Sequence, residues 1–506
     1  MAHIRRASLV FSQTIVIPSG KVQLENQPVP GGGTVPEAKE DPRIQPLQDD
    51  WENDPANARN WPLGKRWTGV FIISLYSFLS PLGSSMMSPG LPQVATKYGI
   101  TSETILALSL SIYLLSFAIS LILFAPLSEM YGRTWIFHIS TLLFAGCNFG
   151  CAFAPNAGSL IGLRFLAGLA GGGPIACGPG SISDLFSEHD RALPMSVYTL
   201  GALLGPVIGP IAGGYIAQTL GIKYVFLVIA AFALLATTVG IILLRETYAP
   251  VIRCRRTTRS FDSENLPGLP FVNQAQENKL QYIWINLRRP VTLLFRSFVC
   301  FSLSLYMSFV YGVYYLMFTT FPEVLSSTYG FSPGNEGLAY LGLGLGFIMA
   351  TSFSAKCGSK IYQHLADKNG GKGKPEMHMP VLLFGSLFAP IGLFWYGWSV
   401  QAKLHWSMPI IGSGIFGFGE MKDRECLPIL LYVVEAFMFA ASASAAASVF
   451  RSLLGFVFPL FGQQMFNALG TGGGNSLLAG LAIVLGIPFP IWLYYKGEAL
   501  RLNSKM

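Results

Sequence analysis

Three ionisable side chains stand where such groups are costly. Arg164, Arg451 and Glu435 fall in stretches that are otherwise almost wholly apolar. A charge placed within hydrocarbon marks a functional position by default. A solitary arginine there needs helix carbonyls, a carboxylate or an anionic ligand group as partner. Glu435 lies near the end of its stretch, where packing at a helix end is the competing role. Two more pairs sit at the edges of apolar runs: Glu129 with Arg133, and Asp184 with Arg191. Such pairs can hold helix ends in one arrangement and release them in another. As exposed loop charges they would contribute almost nothing. Tyr311, Tyr314, Tyr315 and Phe318 share one broad helical face. That face suits flat apolar or cationic compounds, and contact with lipid or a neighbouring helix explains it as well. No HExxH, no GxSxG and no cluster of histidines with acids is present. The "GLGLG" at 342–346 lies in an apolar helix, so no cofactor is expected. The chemistry on offer is binding and release.

The elements that position these residues follow from composition. The chain has 506 residues, 51% hydrophobic and 12% charged, about half the charge of an ordinary soluble domain. Long uncharged blocks alternate with short charged connectors. Hydrocarbon requires roughly 20 apolar residues per helix. Spans are predicted at 68–90, 105–127, 135–154, 158–182, 192–218, 224–244, 291–319, 336–356, 379–398, 407–437, 438–462 and 474–494. The apolar runs are continuous, without the alternation of a barrel, so the spans are helices. The connectors divide by charge. One side collects Arg59, Lys65, Arg66, Arg133, Arg191 and most of the 245–290 connector; the other holds Lys97, Lys223 and Lys403. Cytoplasmic loops carry such an excess, which places both termini in the cytoplasm. The net charge of +8 then needs no nucleic-acid partner. The domain plan is a disordered cytoplasmic tail at 1–67, a six-helix bundle at 68–244, a central cytoplasmic loop at 245–290, a second bundle at 291–495 and a tail at 496–506. Two such halves enclose a midplane cavity.

"LGALLGPVIGPIAGGYIA" (200–217) spaces Gly201, Gly205, Gly209 and Gly213 four residues apart, with Pro206 and Pro210 between them. In lipid, close packing between small residues holds helices together. The four glycines form one winding groove, and the prolines remove two donors and bend the helix. The groove serves plain packing, or it lies between the halves and parts during a conformational cycle.

This stretch resembles the fifth-helix motif of the antiporter branch of drug exporters in the major facilitator superfamily. "APLSEMYGRTWIF" (125–137) stands where that family has a Gly-x-Leu-x-Asp-Arg-x-Gly-Arg-type loop. Gly132 and Arg133 match, Glu129 replaces the aspartate, and Ala125, Met130 and Thr134 depart from the pattern. "LRFLAGLAGG" (163–172) resembles the fourth-helix arginine motif, with Ala167 where glutamine is common. "RETYAPVI" (245–252), "YGFSPGNEGLAYLGLGLG" (329–346) and "FRSLLGFVFPLFG" (450–462) are similar to fungal multidrug and polyamine exporters. The resemblance implies an all-α membrane protein with the major facilitator fold: about twelve helices in two six-helix bundles. It implies a monomer, not an enzyme, that exports small organic compounds across the plasma membrane in exchange for protons, by alternating access. A polyamine or nutrient carrier of the same fold is the alternative. The proton-carrying group is not evident; Glu435 and Glu336 are the candidates.

One segment conflicts with this picture. "GFGEMKDRECLPILL" (417–431) sets Glu420, Lys422, Asp423, Arg424 and Glu425 within the tenth span. Each charge at a helix centre costs roughly 2.5–3.5 kcal/mol. A mispredicted exon junction, a damaged gene encoding an inactive transporter, or a water-lined break in the helix would each account for it. Reading the transcript across residues 415–430 decides between them.

Overall fold

Backbone N–H and C=O groups find no water in hydrocarbon, so a chain this apolar must close its hydrogen bonds within helices. The computed structural model describes residues 51–187, 190–260, 298–353, 357–370, 374–419 and 440–503, together with 288, 292 and 294; helices dominate and no strand occurs among them. The first bundle comprises α1 (Leu63–Ser85), α2 (Glu103–Tyr131), α3 (Arg133–Ala152), α4 (Ala157–Leu185), α5 (Ala192–Thr219) and α6 (Ile222–Leu243). The second comprises α7 (Phe298–Tyr329), α8 (Pro333–Phe353), α9 (Met379–Gln401), α10 (Ser407–Gly419) and the stretch Ala440–Gly486. Gly470 breaks that stretch at φ 73°, which separates α11 (440–469) from α12 (471–486). Ten helices among the described residues are long and apolar enough to cross a membrane. The last, Ala445–Gly497, contains the expected span 474–494 and most of 438–462, and Ser407–Gly419 is the described part of the tenth.

Two sequence expectations need correction. The seventh span does not stop at 319: α7 runs through Pro322 to Tyr329. The polar "TTFPEVLSSTY" reads as a connector, yet Thr320, Phe321, Pro322 and Leu325 within it are buried. The expected disordered tail at 1–67 is too long as well. Residues 58–60 form a turn of 3-10 helix, and α1 begins at Leu63 after Pro62. Arg256 bonds Asp54 at 2.6 Å, and the Arg253 guanidinium lies 4.5 Å above the Trp51 ring.

Polarity is arranged inside out. Ile242 and Leu235 are 73% and 61% exposed, while Ser77, Ser109, Ser116, Asn148 and Arg164 are buried. Such an apolar exterior is a liability in water and is matched by lipid. Within the first bundle α1 packs on α5, α2 on α4, and α3 on α4 and α6; in the second α7 packs on α11, α8 on α10, and α9 on α10 and α12. Two seams join the bundles: α5 against α8, and α2 against α11.

The α5 glycines face α1, inside one bundle. A Cβ on Gly201 would lie 2.7 Å from the Ser74 carbonyl oxygen, and one on Gly205 2.8 Å from the Leu82 nitrogen. Gly209 and Gly213 meet Ser85 and Met86 in the same way. The groove is therefore not the surface between the halves. The seam to α8 uses the adjacent face of α5, where Val207, Pro210 and Gly214 meet Gly344, Gly337 and Pro333. Gly205→Leu forces an overpacked contact costing about 1–3 kcal/mol and lowers the Tm of the purified protein. Gly162→Leu, placed where nothing lies within 4 Å, leaves Tm unchanged. Equal Tm values for the two variants would contradict the close α1–α5 contact.

Candidate functional site

The last carbonyls of a helix lack intrahelical donors, and α1 ends at Ser85 in the protein interior. Arg164 of α4 supplies what is missing. Its Nη1 donates to the Gly83 carbonyl at 2.6 Å and its Nη2 to the Ser84 carbonyl at 3.2 Å. Longer bonds of 3.4 and 3.5 Å reach the Ser109 and Leu110 carbonyls of α2. The guanidinium stands 5.0 Å over the Tyr113 ring. A cation at a helix C-terminus also complements the helix dipole. Of the partners open to Arg164 from sequence, the geometry supplies helix carbonyls. The side chain is fully buried and ties α1, α2 and α4 together.

Between the bundles lies a cavity of about 520 Å³. Its walls come from α1 (Ser80, Pro81, Ser84), α2 (Tyr113, Phe117), α4 (Ile175, Pro179), α5 (Tyr198, Thr199, Pro206), α7 (Tyr311, Tyr315) and α11 (Ser448, Arg451). Pro206 removes the N–H that the Ala202 carbonyl would use, and both residues line the cavity. The Arg451 guanidinium lies 4.7 Å over the Tyr311 ring. Tyr311 and Tyr315 are 4.9 Å apart between ring centroids, and the Tyr315 hydroxyl meets Ser84 Oγ at 2.9 Å. The four aromatic candidates divide. Tyr311 and Tyr315 line the cavity, whereas Tyr314 packs on Phe347 and Phe318 stacks on Tyr340 within the second bundle. Glu435 and the charged run 420–425 lie outside the described residues.

The cavity reaches Glu129 and Arg133 at the end of α2 and start of α3. Arg133 Nε donates to Asp184 at 2.6 Å, and its guanidinium covers the Tyr248 ring at 4.9 Å. Glu246, which sequence reading did not single out, completes this corner. Its carboxylate accepts from the Arg133 N–H at 3.0 Å and the Thr134 N–H at 3.2 Å, capping α3. It also accepts from the N–H groups of Thr247 and Tyr248. Gly132 adopts φ 100°, and a Cβ there would strike the Glu246 carboxylate. The signal for Glu246 was the "RETYAP" segment; its 113-residue separation from Arg133 hides the pairing. Arg133, Asp184, Glu246 and Tyr248 thereby join the α2–α3 turn to the end of α4 and to the segment that follows α6. Arg191 stands one residue before α5, half-buried.

The opposite end is sealed across both seams. Gln218 of α5 accepts from the Gly334 N–H at 2.9 Å. Gln464 of α11 donates to Thr104 Oγ1 at 3.1 Å, and Asn467 to the Glu103 carboxylate at 3.2 Å. Ser88 donates to the Phe318 carbonyl and meets the Tyr340 hydroxyl at 2.9 Å.

Arg164→Ala strips several charge-assisted hydrogen bonds from buried carbonyls, at about 1.5–3 kcal/mol each. Tm falls steeply in that variant, and Arg164→Lys recovers part of the loss. A Tm equal to the parent's in Arg164→Ala would rule out the clamp. Glu246→Ala speeds amide exchange at Arg133 and Thr134; unchanged protection there would show that the cap is not formed.

Comparison with known proteins agrees with this architecture. The family model for the Major Facilitator Superfamily matches residues 73–459. "Efflux pump radE" of Floropilus chiversii is 40% identical, over 93% of this chain and 87% of its own. "Efflux pump vrtL" of Penicillium aethiopicum is 40% identical over 96% and 95% of the two chains. "MFS-type transporter penM" of Penicillium rubens is 40% identical over 92% of each. Among solved structures, the partially occluded inward-open xylose transporter XylE of E. coli superposes with TM-score 0.61 at 14% identity, covering 85% of this chain and 98% of that one. Helices that enclose a central cavity, a match to the family model over most of the chain, and transporter relatives identical at two positions in five lead to one assignment. The chain is an integral, multi-pass membrane transporter of the Major Facilitator Superfamily, with relatives among fungal efflux pumps.

Proposed function

We propose that the protein is a proton-coupled exporter of small organic compounds, working as a monomer in the plasma membrane by alternating access. The observation that carries this reading is the asymmetry of the cavity: it extends to the Arg133 corner and is sealed at the Gln218–Gly334 end. Lysines and arginines concentrate at the Arg133 end, which is therefore the cytoplasmic one, as are both termini. On this orientation the cavity opens inwards, ready to load from the cytoplasm. A volume of about 520 Å³ falls in the range of pockets for drug-sized ligands. Tyr113, Phe117, Tyr198, Tyr311 and Tyr315 offer aromatic faces, and Ser80, Ser84, Thr199 and Ser448 offer hydroxyls. That mixture suits flat aromatic compounds such as drugs, toxins or secondary metabolites. The relatives named efflux pumps support the outward direction. A polyamine would need facing carboxylates; among the described lining residues Glu129 alone supplies one, at the mouth.

Cells that express the protein retain less of a flat fluorescent dye than control cells, and a protonophore removes the difference. The double substitution Tyr311→Ala with Tyr315→Ala, which deletes two facing rings worth about 0.5–1.5 kcal/mol per aromatic contact, raises retention towards the control. Equal retention of a panel of such dyes in expressing and control cells would contradict export of this class.

A further inference from the structure

Glu336 stands in the first turn of α8, at the sealed seam, and is 1% exposed. Its Oε2 has no hydrogen-bond partner. On either side of it the seam is at its closest. The Gly334 N–H meets Gln218, and Gly337 abuts the Pro210 carbonyl. The elements packed on α8 are α5, α10, α7 and the 88–90 turn. At this end α5 brings Tyr215 and Gln218, α7 brings Tyr329, and the turn brings Ser88. The described part of α10 has no ionisable residue. Tyr340 follows one turn along α8. Glu323 of α7 is exposed. None of these groups is a cation. An ionised Glu336 in the closed seam would be a buried charge with no counter-charge and a bare oxygen, which proteins avoid by neutralising the group.

We propose that Glu336 carries the coupled proton, its neutral acid allowing α5 and α8 to close and its carboxylate prising them apart. This rests on the proton-coupled export reading above. With the seam open, Glu336 faces the outer water and its carboxylate takes up one proton. The seam closes over the resulting acid. The proton leaves inwards, on the side where two hydroxyl pairs stand, Ser88 with Tyr340 and Ser84 with Tyr315, each 2.9 Å apart. The second pair lines the cavity. Loss of that proton restores the carboxylate, the seam becomes unstable, and a loaded cavity opens outwards. One proton enters for each passage of substrate in the other direction.

The test needs no substrate. Spin labels at Leu220 and Leu404, both exposed and at the sealed end, report the distance between the bundles in the full-length protein in lipid nanodiscs. In the parent, the long-distance population grows as pH rises. Glu336→Gln, which keeps the shape and cannot ionise, holds the short-distance, acid-like distribution at every pH. Glu336→Asp restores the pH response. A Glu336→Gln profile that follows the parent's overturns the assignment and leaves proton coupling standing. A parent distance indifferent to pH overturns both.

Discussion

Hydrocarbon gives apolar helices no reason to associate, because lipid tails are as apolar as leucine. Every lasting contact in this protein must come from close backbone approach or from polar groups that find partners. The chain spends these unevenly. Inside the first bundle the four α5 glycines let α1 come within backbone contact, and Arg164 binds the buried C-terminal end of α1 to α2 and α4. Between the bundles, the side-chain bonds named above cluster at one end. Hydrogen bonds between membrane helices average about 0.6 kcal/mol each. Their sum at the seam is a few kcal/mol, small enough for a bound solute or a proton to tip.

Rigid halves and a weak seam produce the cavity. Where the seam holds, Ser84 and Tyr315 close the floor; where it is absent, the walls part down to Glu129 and Arg133. The Arg133–Asp184–Glu246 corner fixes the turn between α2 and α3 at the mouth of the cavity. Hydroxyls and aromatic rings cover the interior, and the exterior is bare hydrocarbon-like surface. The same inside-out polarity that seats the protein in lipid lines the cavity between the halves with polar groups.

Much of this was legible in the sequence. Uncharged runs located the helices because their length is set by the bilayer, and the bounds of α5 agree with expectation to one residue. The glycine spacing correctly announced a tight contact, but spacing names a helix face and not the helix it meets. So the contact with α1 could not be told from one with α8. Arg164 was legible as important and not as a clamp, since its partners are backbone carbonyls, which every residue has. Glu246 escaped because a carboxylate beside a helix end looks like any loop acid until the distant helix it caps is in place. Tyr314 and Phe318 share a face with Tyr311 and Tyr315, yet the face is broad enough to straddle the cavity wall and the bundle core.

In the proposed cycle the sealed end must open for each passage of substrate. Cysteines at Thr104 and Gln464, whose side chains now touch across the α2–α11 seam at 3.1 Å, can be joined by oxidation and freed by reductant. With the bond formed, dye accumulates as in cells lacking the protein, and reductant restores efflux. Undiminished efflux with the bond intact would show that the two halves need not separate there, and the account would be wrong.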